Sequence, residues 1–421
     1  MKKYKLHKTL FESGKTCKSL GFPNLPSIVN TNRSLTTRII AIGDIHGDLD
    51  LAINCLTISK VIKQIYLYKN KVNNKIEESK LYVNEIIDDL ECPDDVAILY
   101  YKEETIPRYY KWIGEKTIVI QVGDQVDRCR PLDNECIDPN ETSNDESSDI
   151  KILFFFHDLH LLALRSKGCA LYSLLGNHEL LNVIGNLRYV SYKGLVEFKK
   201  KDDQDIYEGR KKIFKINSDE LLYKKKTNLA NFLACARLSA IIVDNYLFVH
   251  AGVLEKLIKY TSKYSGEKNI NSIQVINDVV KKWLLNTDSI DDKDYISQIL
   301  GGKTLSPFWP RIFGNLPTGL NKSHKLCKKY VDPVLNILNL KGLIVGHTPQ
   351  TKININSTCS NTVWRVDVAS SQAFDNIIER DITRLSDNEK DSIRLGRQAQ
   401  VLEIILGDKN NEDKFNIIKI N

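Results

Sequence analysis

Short apolar runs separated by longer mixed segments are the main feature of the hydrophobic pattern. Runs rich in Ile, Val and Leu predict buried strands, and they lie at residues 38–42, 117–122, 171–175, 246–249, 342–345, 363–368 and 400–406. Apolar residues at helical spacing fall between several of these runs and predict helices at residues 49–65 and 153–165. Strands that alternate with helices indicate an α/β fold.

Segments that interrupt this pattern are predicted to be insertions, at about residues 69–116, 130–150 and 199–228. Residues 133–149 hold seven acidic residues and no Lys or Arg, a composition that favours a mobile, solvated loop. Residues 199–226 hold ten Lys or Arg against six acidic residues, which is typical of a solvated surface. We expect residues 1–37 to be an N-terminal extension and residues 38–421 to form one domain that contains the insertions.

The overall composition is that of a soluble globular protein, with 42% hydrophobic and 27% charged residues. No run of 18 apolar residues predicts a membrane-spanning helix, and the Lys-rich start lacks the apolar stretch of a secretory signal. The net charge of +7 is small for 421 residues and both signs are mixed. The composition therefore indicates neither a membrane nor a nucleic acid as a partner.

The cysteines bear on the cellular location. Nine cysteines, an odd number without a CxxC pair, predict reduced thiols and a cytoplasmic protein. The abundance of Lys, Ile and Asn suggests an AT-rich genome, such as that of a protist or a large virus. For a viral protein, the expected location is the host cytoplasm.

Each of five predicted strands is followed by a turn that combines glycine with side chains able to bind metal. The turns read GDIHGD, GDQVDR, GNHE, HAG and GHT, at residues 43–48, 123–128, 176–179, 250–252 and 346–348. Because functional loops gather at the carboxyl ends of strands in open α/β sheets, these turns can converge on one place. Carboxylate, imidazole and amide groups suit Mn, Fe or Zn, and a carboxylate can bridge two cations. The pattern therefore predicts a binuclear metal centre.

These turns resemble the motifs of the calcineurin-like metallophosphoesterases, and in particular of the phosphoprotein phosphatase branch, which carries GDxHG, GDxVDRG, GNHE and two later histidines. The chain is most similar to the Shewanella-like, bacterial-type protein phosphatases. LLGNHE continues to GNLRYV, and FVHAG, FWPR, VGHT and WRVD also match that subgroup, all between residues 174 and 367. The resemblance covers about residues 38–406. It implies that residues 38–421 form a catalytic domain with an α/β fold of four layers, in which two mixed β-sheets pack face to face between helices.

The resemblance also implies a set of metal ligands. Asp44 and His46 would bind the first of two divalent cations, Mn, Fe or Zn, and Asp124 would bridge both cations. The second cation would be completed by Asn177, His250 and His347. The implied nucleophile is a hydroxide that bridges the two metals and attacks phosphorus directly.

Further residues are implied to assist the reaction. His178 would protonate the leaving oxygen, and Asp127 would orient His178. Arg128 and Arg311 would grip the phosphate oxygens, for which a guanidinium is well shaped. Arg188 is a third candidate, which a structural salt bridge would explain equally well.

The implied substrate is a phosphoprotein or phosphopeptide, hydrolysed at phosphoserine or phosphothreonine, with phosphotyrosine as an open alternative. A dinucleoside polyphosphate hydrolase is an alternative enzyme, but Thr348 and Glu179 stand where those enzymes carry Trp and Asp. Another phosphoesterase, acting on a diester or a nucleic acid, is also open, because a binuclear site alone does not determine the ester. A non-catalytic docking scaffold is a further alternative, although every implied ligand is present.

The chain departs from the family pattern at two places. Cys129 stands where the second motif usually has glycine, and residues 366–371 replace the Ser-Ala-Pro-Asn-Tyr run of the eukaryotic phosphatases. The acidic segment follows directly after Cys129, beside the implied phosphate clamp. We therefore expect its carboxylates to favour phosphorylated sites that are flanked by basic residues.

Overall fold

Two mixed β-sheets lie at the centre of the computed structural model, which describes residues 16–69, 76–79, 95–99, 107–132, 135–219, 227–301, 303–351, 353–408 and 411–420. The strands are β1 (Ile28–Val29), β2 (Arg38–Ile42), β3 (Ile62–Lys69), β4 (Ile76–Ser79), β5 (Ala97–Leu99), β6 (Arg108–Trp112), β7 (Thr117–Gln121), β8 (Ala170–Ser173), β9 (Ala240–Val243), β10 (Tyr246–Val249), β11 (Gly342–Val345), β12 (Asn356–Thr358), β13 (Val363–Arg365), β14 (Gln400–Ile405) and β15 (Lys414–Lys419). The α-helices are α1 (Leu49–Ile58), α2 (Asp149–Arg165), α3 (Asn177–Val183), α4 (Tyr192–Val196), α5 (Glu208–Phe214), α6 (Leu229–Ala236), α7 (Glu255–Ser265), α8 (Asn271–Leu284), α9 (Ile290–Leu300), α10 (Lys325–Tyr330), α11 (Asp332–Leu338), α12 (Asp375–Ile382) and α13 (Asp387–Gly396). Within these ranges, no helix has the length and apolar character needed to cross a membrane.

The two sheets have different strand orders. The first has six strands in the order β1-β9-β10-β11-β13-β12, and the second has five in the order β15-β14-β2-β7-β8. Strands β2, β7 and β8 run parallel to one another, as do β10 and β11. All residues of β7, β8, β10 and β11 are buried. These strands are covered on both faces, which explains why their sequences are continuous apolar runs.

Three apolar clusters define the layers. Side chains of β2, β7 and β14 from the second sheet meet those of β9, β10 and β11 from the first sheet in one cluster. The outer face of the second sheet packs against α1 and α2, and the outer face of the first packs against α6, α7, α8 and α11. The order of helices, sheet, sheet and helices confirms the predicted four-layer α/β fold.

The helix predicted at residues 49–65 is shorter than expected. Helix α1 ends at Ile58, and Lys60 adopts a left-handed backbone with φ of 55°. The chain then enters β3, which pairs with β6, so that Lys63 lies opposite Lys111. The helix prediction is wrong after residue 58, because pairing with a strand far along the chain overrides local spacing. Strands β3 to β6 form a further sheet, in the order β4-β3-β6-β5, from the described parts of the first predicted insertion and the residues just before it.

The acidic segment is held by the rest of the fold. Glu141 is buried and accepts a hydrogen bond from a backbone N–H of its own loop at 2.5 Å. Asp145 accepts a hydrogen bond from Ser191 Oγ at 2.7 Å, and Asp149 forms a buried ion pair with Arg210 at 2.6 Å. The expectation of a solvated loop is wrong for this half of the segment, because Asp145 and Asp149 have partners outside the local sequence. Residues 133 and 134 lie outside the described residues.

The basic segment also contributes to the interior. Arg210 and Phe214 of α5 are fully buried, so the expectation of a solvated surface is wrong at these two positions. Residues 220–226 lie outside the described residues. Before residue 38, Ile28 and Val29 form β1 and pair with β9 in the first sheet, so part of the predicted extension is built into the fold.

Disulfide bonds contradict the expectation of reduced thiols. They join Cys17 to Cys235, Cys129 to Cys136 and Cys327 to Cys359, whereas Cys55 and Cys169 are free and buried. Cys92 lies outside the described residues. Sequence spacing did not predict these pairs, because folding brings together cysteines as many as 218 positions apart. The cytoplasmic location was inferred from reduced thiols, and the six paired cysteines give it no support.

Candidate metal centre

The turns that follow β2, β7, β8, β10 and β11 meet at one edge of the two sheets. The backbone N–H of His46 donates to the carbonyl of Asp124 at 2.9 Å, and that of Gly346 donates to the carbonyl of His250 at 2.8 Å. The Glu179 carboxylate accepts a hydrogen bond from the backbone N–H of Asp124 at 3.1 Å. The turns that the sequence predicts to converge therefore do so, and backbone hydrogen bonds hold them together.

The backbone of this region is strained at several polar residues. His46, Asp124, Asp127 and His347 have φ values of 46°, 53°, 73° and 64°. This left-handed region is uncommon for residues other than glycine and costs on the order of 1 kcal/mol or more per residue. Strain at four positions of one cluster is typical of a functional site.

Two glycines allow carboxylates to approach the neighbouring backbone closely. A Cβ atom at Gly176 would overlap with Oδ1 of Asp124, and one at Gly346 would overlap with Oδ1 of Asp44. A larger residue at either position would displace the carboxylate, which explains why glycine accompanies the acidic residues of these turns.

Asp124 belongs to two groups of potential metal ligands. One group contains His46, Asp124 and His178, and the other contains Asp124, His250 and His347. Within each group the candidate ligand atoms lie within 4.8 Å of one another. Asp124 Oδ2 is 3.2 Å from His250 Nε2 and 3.8 Å from His46 Nε2. A carboxylate in this position can bridge two cations.

The two remaining predicted ligands lie beside these groups. Asn177 Oδ1 is 2.9 Å from His250 Nε2. Asp44 Oδ2 is 3.9 Å from His46 Nε2 and accepts a hydrogen bond from the backbone N–H of His347 at 3.1 Å. All six predicted ligands are thus buried in one cluster.

Several imidazole rings are oriented for metal binding. Nδ1 of His250 lies 3.0 Å from the carbonyl of Val122, and Nδ1 of His46 lies 3.3 Å from that of Val126. Donation through Nδ1 leaves Nε2 of His250 unprotonated and able to bind a cation. Burial, with the neighbouring His250, lowers the pKa of His347 to about 3, so this ring is neutral, which is the form that binds metal.

Carboxylates crowd the cluster and repel one another. Burial and the charges of Asp367 and Asp124 raise the pKa of Asp44 well above its usual value. Burial, aided by the charge of Asp124, raises the pKa of Asp367 to about 6. Among the described residues, no hydrogen bond reaches the buried Oδ2 of Asp367. Bound divalent cations would offset this repulsion, so the residues present fit a metal centre.

The implied proton donor is supported by a buried chain of hydrogen bonds. His178 Nδ1 lies 2.7 Å from Asp127 Oδ2, and Asn182 Nδ2 donates to Asp127 Oδ1 at 2.7 Å. Arg210 Nε donates to Asn182 Oδ1 at 2.7 Å. Arg210 also donates to Asp149 Oδ2 at 2.6 Å, and this oxygen accepts a hydrogen bond from the Asp127 backbone N–H at 3.3 Å. Asp127, Asn182 and Arg210 are fully buried, so the orientation of the His178 ring is set by the interior of the protein.

Arg128 is buried between the acidic segment and the turn after β2. Its guanidinium is buried 3.4 Å from Asp48 and 3.6 Å from Glu146, and it donates to the Gln372 side chain at 2.9 Å. Glu146 belongs to the acidic segment, which supplies a partner that the motif alone does not reveal. Arg128 therefore joins the acidic segment to the turn after β2.

Arg130 lies against the ligand cluster. Its Nη2 is 2.9 Å from His46 Nε2. Its guanidinium also lies 4.8 Å from the ring centre of Phe374 and 5.4 Å from that of Tyr189. Two aromatic faces thus hold this guanidinium against the ligand cluster.

Arg311 is exposed on another side of the cluster. Its charge helps to lower the pKa of His347, and the carbonyl of the nearby Trp309 lies 3.1 Å from His347 Nε2. A cavity of about 560 Å³ opens here, lined by Leu300, Gly301, Thr304, Trp309, Pro310, Arg311 and Ile312.

Sequence reasoning gave no role to four residues of this site. Asp367 lies at the end of the predicted strand 363–368 and within the matched WRVD motif, so its position is a signal that it belongs to the site. Arg130 lies two positions after the second motif, and its basic side chain was a weak signal. Asn182 lies within the matched run from LLGNHE to GNLRYV, but the match gives it no role, and Arg210 carries no signal because only the fold brings it near Asp127.

Comparisons with known proteins agree with this geometry. Residues 37–351 match the sequence model of the calcineurin-like phosphoesterase family. An uncharacterised protein of Acanthamoeba polyphaga mimivirus is 35% identical over 231 residues, which cover 53% of this chain and 89% of that protein. Shewanella-like protein phosphatase 2 of Arabidopsis thaliana is 25% identical over 380 residues, which cover 82% of this chain and 74% of that protein.

A solved structure shows the same fold. The cold-active protein tyrosine phosphatase of a psychrophilic Shewanella species superposes with a TM-score of 0.51 at 16% identity, covering 94% of this chain and 83% of that chain. At this identity the likeness concerns the fold alone.

Proposed function

The chain belongs to the calcineurin-like phosphoesterase family, and from this premise we propose that it is a metal-dependent protein phosphatase that acts on phosphoserine or phosphothreonine. The observation that carries the proposal is the position of Asp124, whose carboxylate belongs to both groups of candidate ligands. The similarity to an Arabidopsis protein phosphatase over 82% of the chain supports a protein substrate.

Two divalent cations, Mn, Fe or Zn, suit the donor set of the cluster. Asp44, His46 and Asp124 would hold one of them. Asp124 would also bind the other, together with Asn177, His250 and His347. When bound, the cations would supply an activated water molecule and neutralise charge on the phosphoryl group.

The chain's own residues would bind the substrate and move the proton. Hydrogen bonding to Asp127 through Nδ1 leaves Nε2 of His178 facing the cluster, 3.9 Å from Asp124 Oδ2. From this position Nε2 would donate a proton to the leaving oxygen. Arg128 and Arg311 would grip the phosphate oxygens, and Arg130, beside His46, would assist them.

The test combines metal analysis with a substrate panel. We expect Mn-loaded protein to hydrolyse phosphoserine and phosphothreonine peptides faster than a phosphotyrosine peptide or a dinucleoside tetraphosphate. Chelation should abolish this activity. Asp124→Asn should remove nearly all activity and lower the metal content from about two per chain. Asp202→Asn, at an exposed position, is the matched control and should change neither. Preferential hydrolysis of the dinucleotide, or one metal per chain in metal-replete wild-type protein, would overturn the proposal.

A further inference from the structure

A second cavity, of about 500 Å³, lies beside the proton-donor side of the cluster. Residues 131, 132, 135 and 136 form one wall, and the turn after α3 together with α5 and the residue before it forms the other. It is lined by Pro131, Leu132, Glu135, Cys136, Gly185, Asn186, Leu187, Arg188, Tyr207 and Lys211.

A backbone hydrogen bond connects the two walls beside the ligand cluster. A disulfide joins Cys129 to Cys136 and closes the loop of the first wall. The backbone N–H of Cys129 donates to the carbonyl of Tyr189 at 3.0 Å, which links that loop to the second wall. The cavity therefore lies between connected elements rather than between independent loops.

Tyr189 connects the cavity with the reacting groups. Its ring centre is 5.0 Å from that of His178 and 5.4 Å from the guanidinium of Arg130. Arg188, which lines the cavity, places its guanidinium 5.7 Å from the same ring. A peptide whose phosphorylated residue lies at His178 and Arg130 can therefore extend past Tyr189 into the cavity.

The charges of the lining favour an anionic occupant. Arg188 and Lys211 are exposed, and within the described part of the chain neither forms an ion pair with a carboxylate. Lys211 instead lies 5.4 Å from the Tyr207 ring centre. Among the described residues of the lining, Glu135 is the one acidic residue, against the two cations Arg188 and Lys211. Asp145 and Asp149 of the same segment are already bonded to other partners.

We propose that this cavity binds an acidic flank of the phosphoprotein substrate, with Arg188 and Lys211 contacting Asp or Glu side chains a few residues from the phosphorylated one. The proposal rests on the proposed phosphatase function. The sequence of the acidic segment predicts a preference for basic flanks. The present proposal replaces that prediction, because several carboxylates of the segment are already bonded to other residues of the fold.

The experiment uses three phosphothreonine peptides that differ only in an acidic, neutral or basic flank. We expect kcat/KM to be highest for the acidic peptide at low ionic strength and the difference to shrink with added salt. Lys211→Ala and Arg188→Ala should each lower the ratio of acidic to neutral peptide by about two- to fivefold, the range for single exposed ion pairs. The change should appear in KM, because the flank is remote from phosphorus.

Charge reversal gives a result that a folding defect cannot imitate. Lys211→Glu should turn the preference toward the basic peptide, whereas Lys256→Glu, at an exposed lysine on α7 away from the lining, should keep the wild-type order. If the wild type hydrolyses all three peptides equally, or Lys211→Glu keeps the acidic preference, the flank proposal fails while the phosphatase function stands. If no phosphopeptide is hydrolysed, both fail.

Discussion

Arg210 is a buried cation that is connected to Asp127, the partner of the proposed proton donor, through Asn182 and by a direct ion pair at 3.7 Å. The charge pattern of residues 199–226 predicts a surface segment, yet Arg210 is buried there. Arg210 donates a hydrogen bond to Asn182, and Asn182 donates one to Asp127. Because Arg210 does not touch the ligand cluster in these contacts, we regard it as a positioning residue.

We predict that Arg210→Ala lowers kcat by roughly 10- to 100-fold on substrates with poor leaving groups, less than the loss expected for removing a general acid. The loss should be smaller on p-nitrophenyl phosphate, whose leaving group departs without protonation. Combined with His178→Asn, the change should add little further loss, because both act through one proton transfer.

Arg365→Ala is the control for that experiment. Arg365 is also buried, but it donates to Thr318 and to backbone carbonyls rather than to Asn182 or Asp149. Its loss should lower stability without altering the dependence on the leaving group. Equal losses on good and poor leaving groups for Arg210→Ala would show that Arg210 has only a structural role.

Asp367 offers a test that does not depend on activity. Since burial raises the folded pKa of Asp367 to about 6, its negative charge destabilises the metal-free protein above that pH. We predict that Asp367→Asn raises the melting temperature of the metal-free protein at pH 8 and reduces the further rise caused by Mn²⁺. Differential scanning calorimetry with chelator and with Mn²⁺ measures both shifts. An undiminished Mn²⁺ shift in the variant would place Asp367 away from the metals.

At the scale of elements, the disulfides constrain loops of very different length. Cys17 and Cys235 are 218 positions apart, and Cys129 and Cys136 are 7 apart. In the chain-entropy account, the longer link stabilises the fold by about 5 kcal/mol and the shorter by about 2.5 kcal/mol. We predict that Cys235→Ser lowers the free energy of unfolding in urea more than Cys136→Ser does. With excess reductant, both variants should approach the wild type, and equal losses under oxidising conditions would contradict the prediction.

The elements show which parts of the fold the sequence can predict. Strands β2, β10 and β11 have the bounds that their apolar runs indicate, because both faces of each strand are buried and a glycine or histidine ends the run. The sheet of β3 to β6 was not predicted, because its pairings depend on distant residues. The same limit applies to the site. The motifs of the turns identify the candidate metal ligands. Glu146 and Arg210, which contact Arg128 and Asp127, cannot be identified in this way, because they come from segments without a motif.

At the scale of the whole molecule, Asp413 joins parts of the chain that are far apart. It pairs with Arg33 at 3.0 Å and with Lys341 at 3.3 Å, and it accepts a hydrogen bond from the Tyr246 hydroxyl at 2.8 Å. Arg33 precedes the second sheet, whereas Tyr246 begins β10 of the first. The loop between β14 and β15 is thus tied to both sheets.

This network predicts a pH-dependent contribution to stability. Burial alone would raise the pKa of Asp413, but the hydrogen bonds and the two cations outweigh it and lower that pKa. A lowered folded pKa stabilises the protein above the unfolded value, near 3.9, and the contribution is lost as the pH falls through the folded pKa. We predict that Asp413→Asn lowers the melting temperature at pH 7 and that the difference from wild type shrinks below pH 4. Asp202→Asn should show no such trend, and a constant difference at all pH values would exclude the ionic contribution.

The position of β2 has a consequence for synthesis of the chain. In the second sheet β2 lies between β7 and β14, and Ile39 pairs with Ile404 of β14. A ribosome that adds 5–20 residues per second needs roughly 20 to 70 s to proceed from the end of β2 to the start of β14. During that time one edge of an apolar strand has no partner, and such an edge recruits other chains. Nascent chains, and any product that terminates before residue 400, should therefore depend on chaperones to stay in solution.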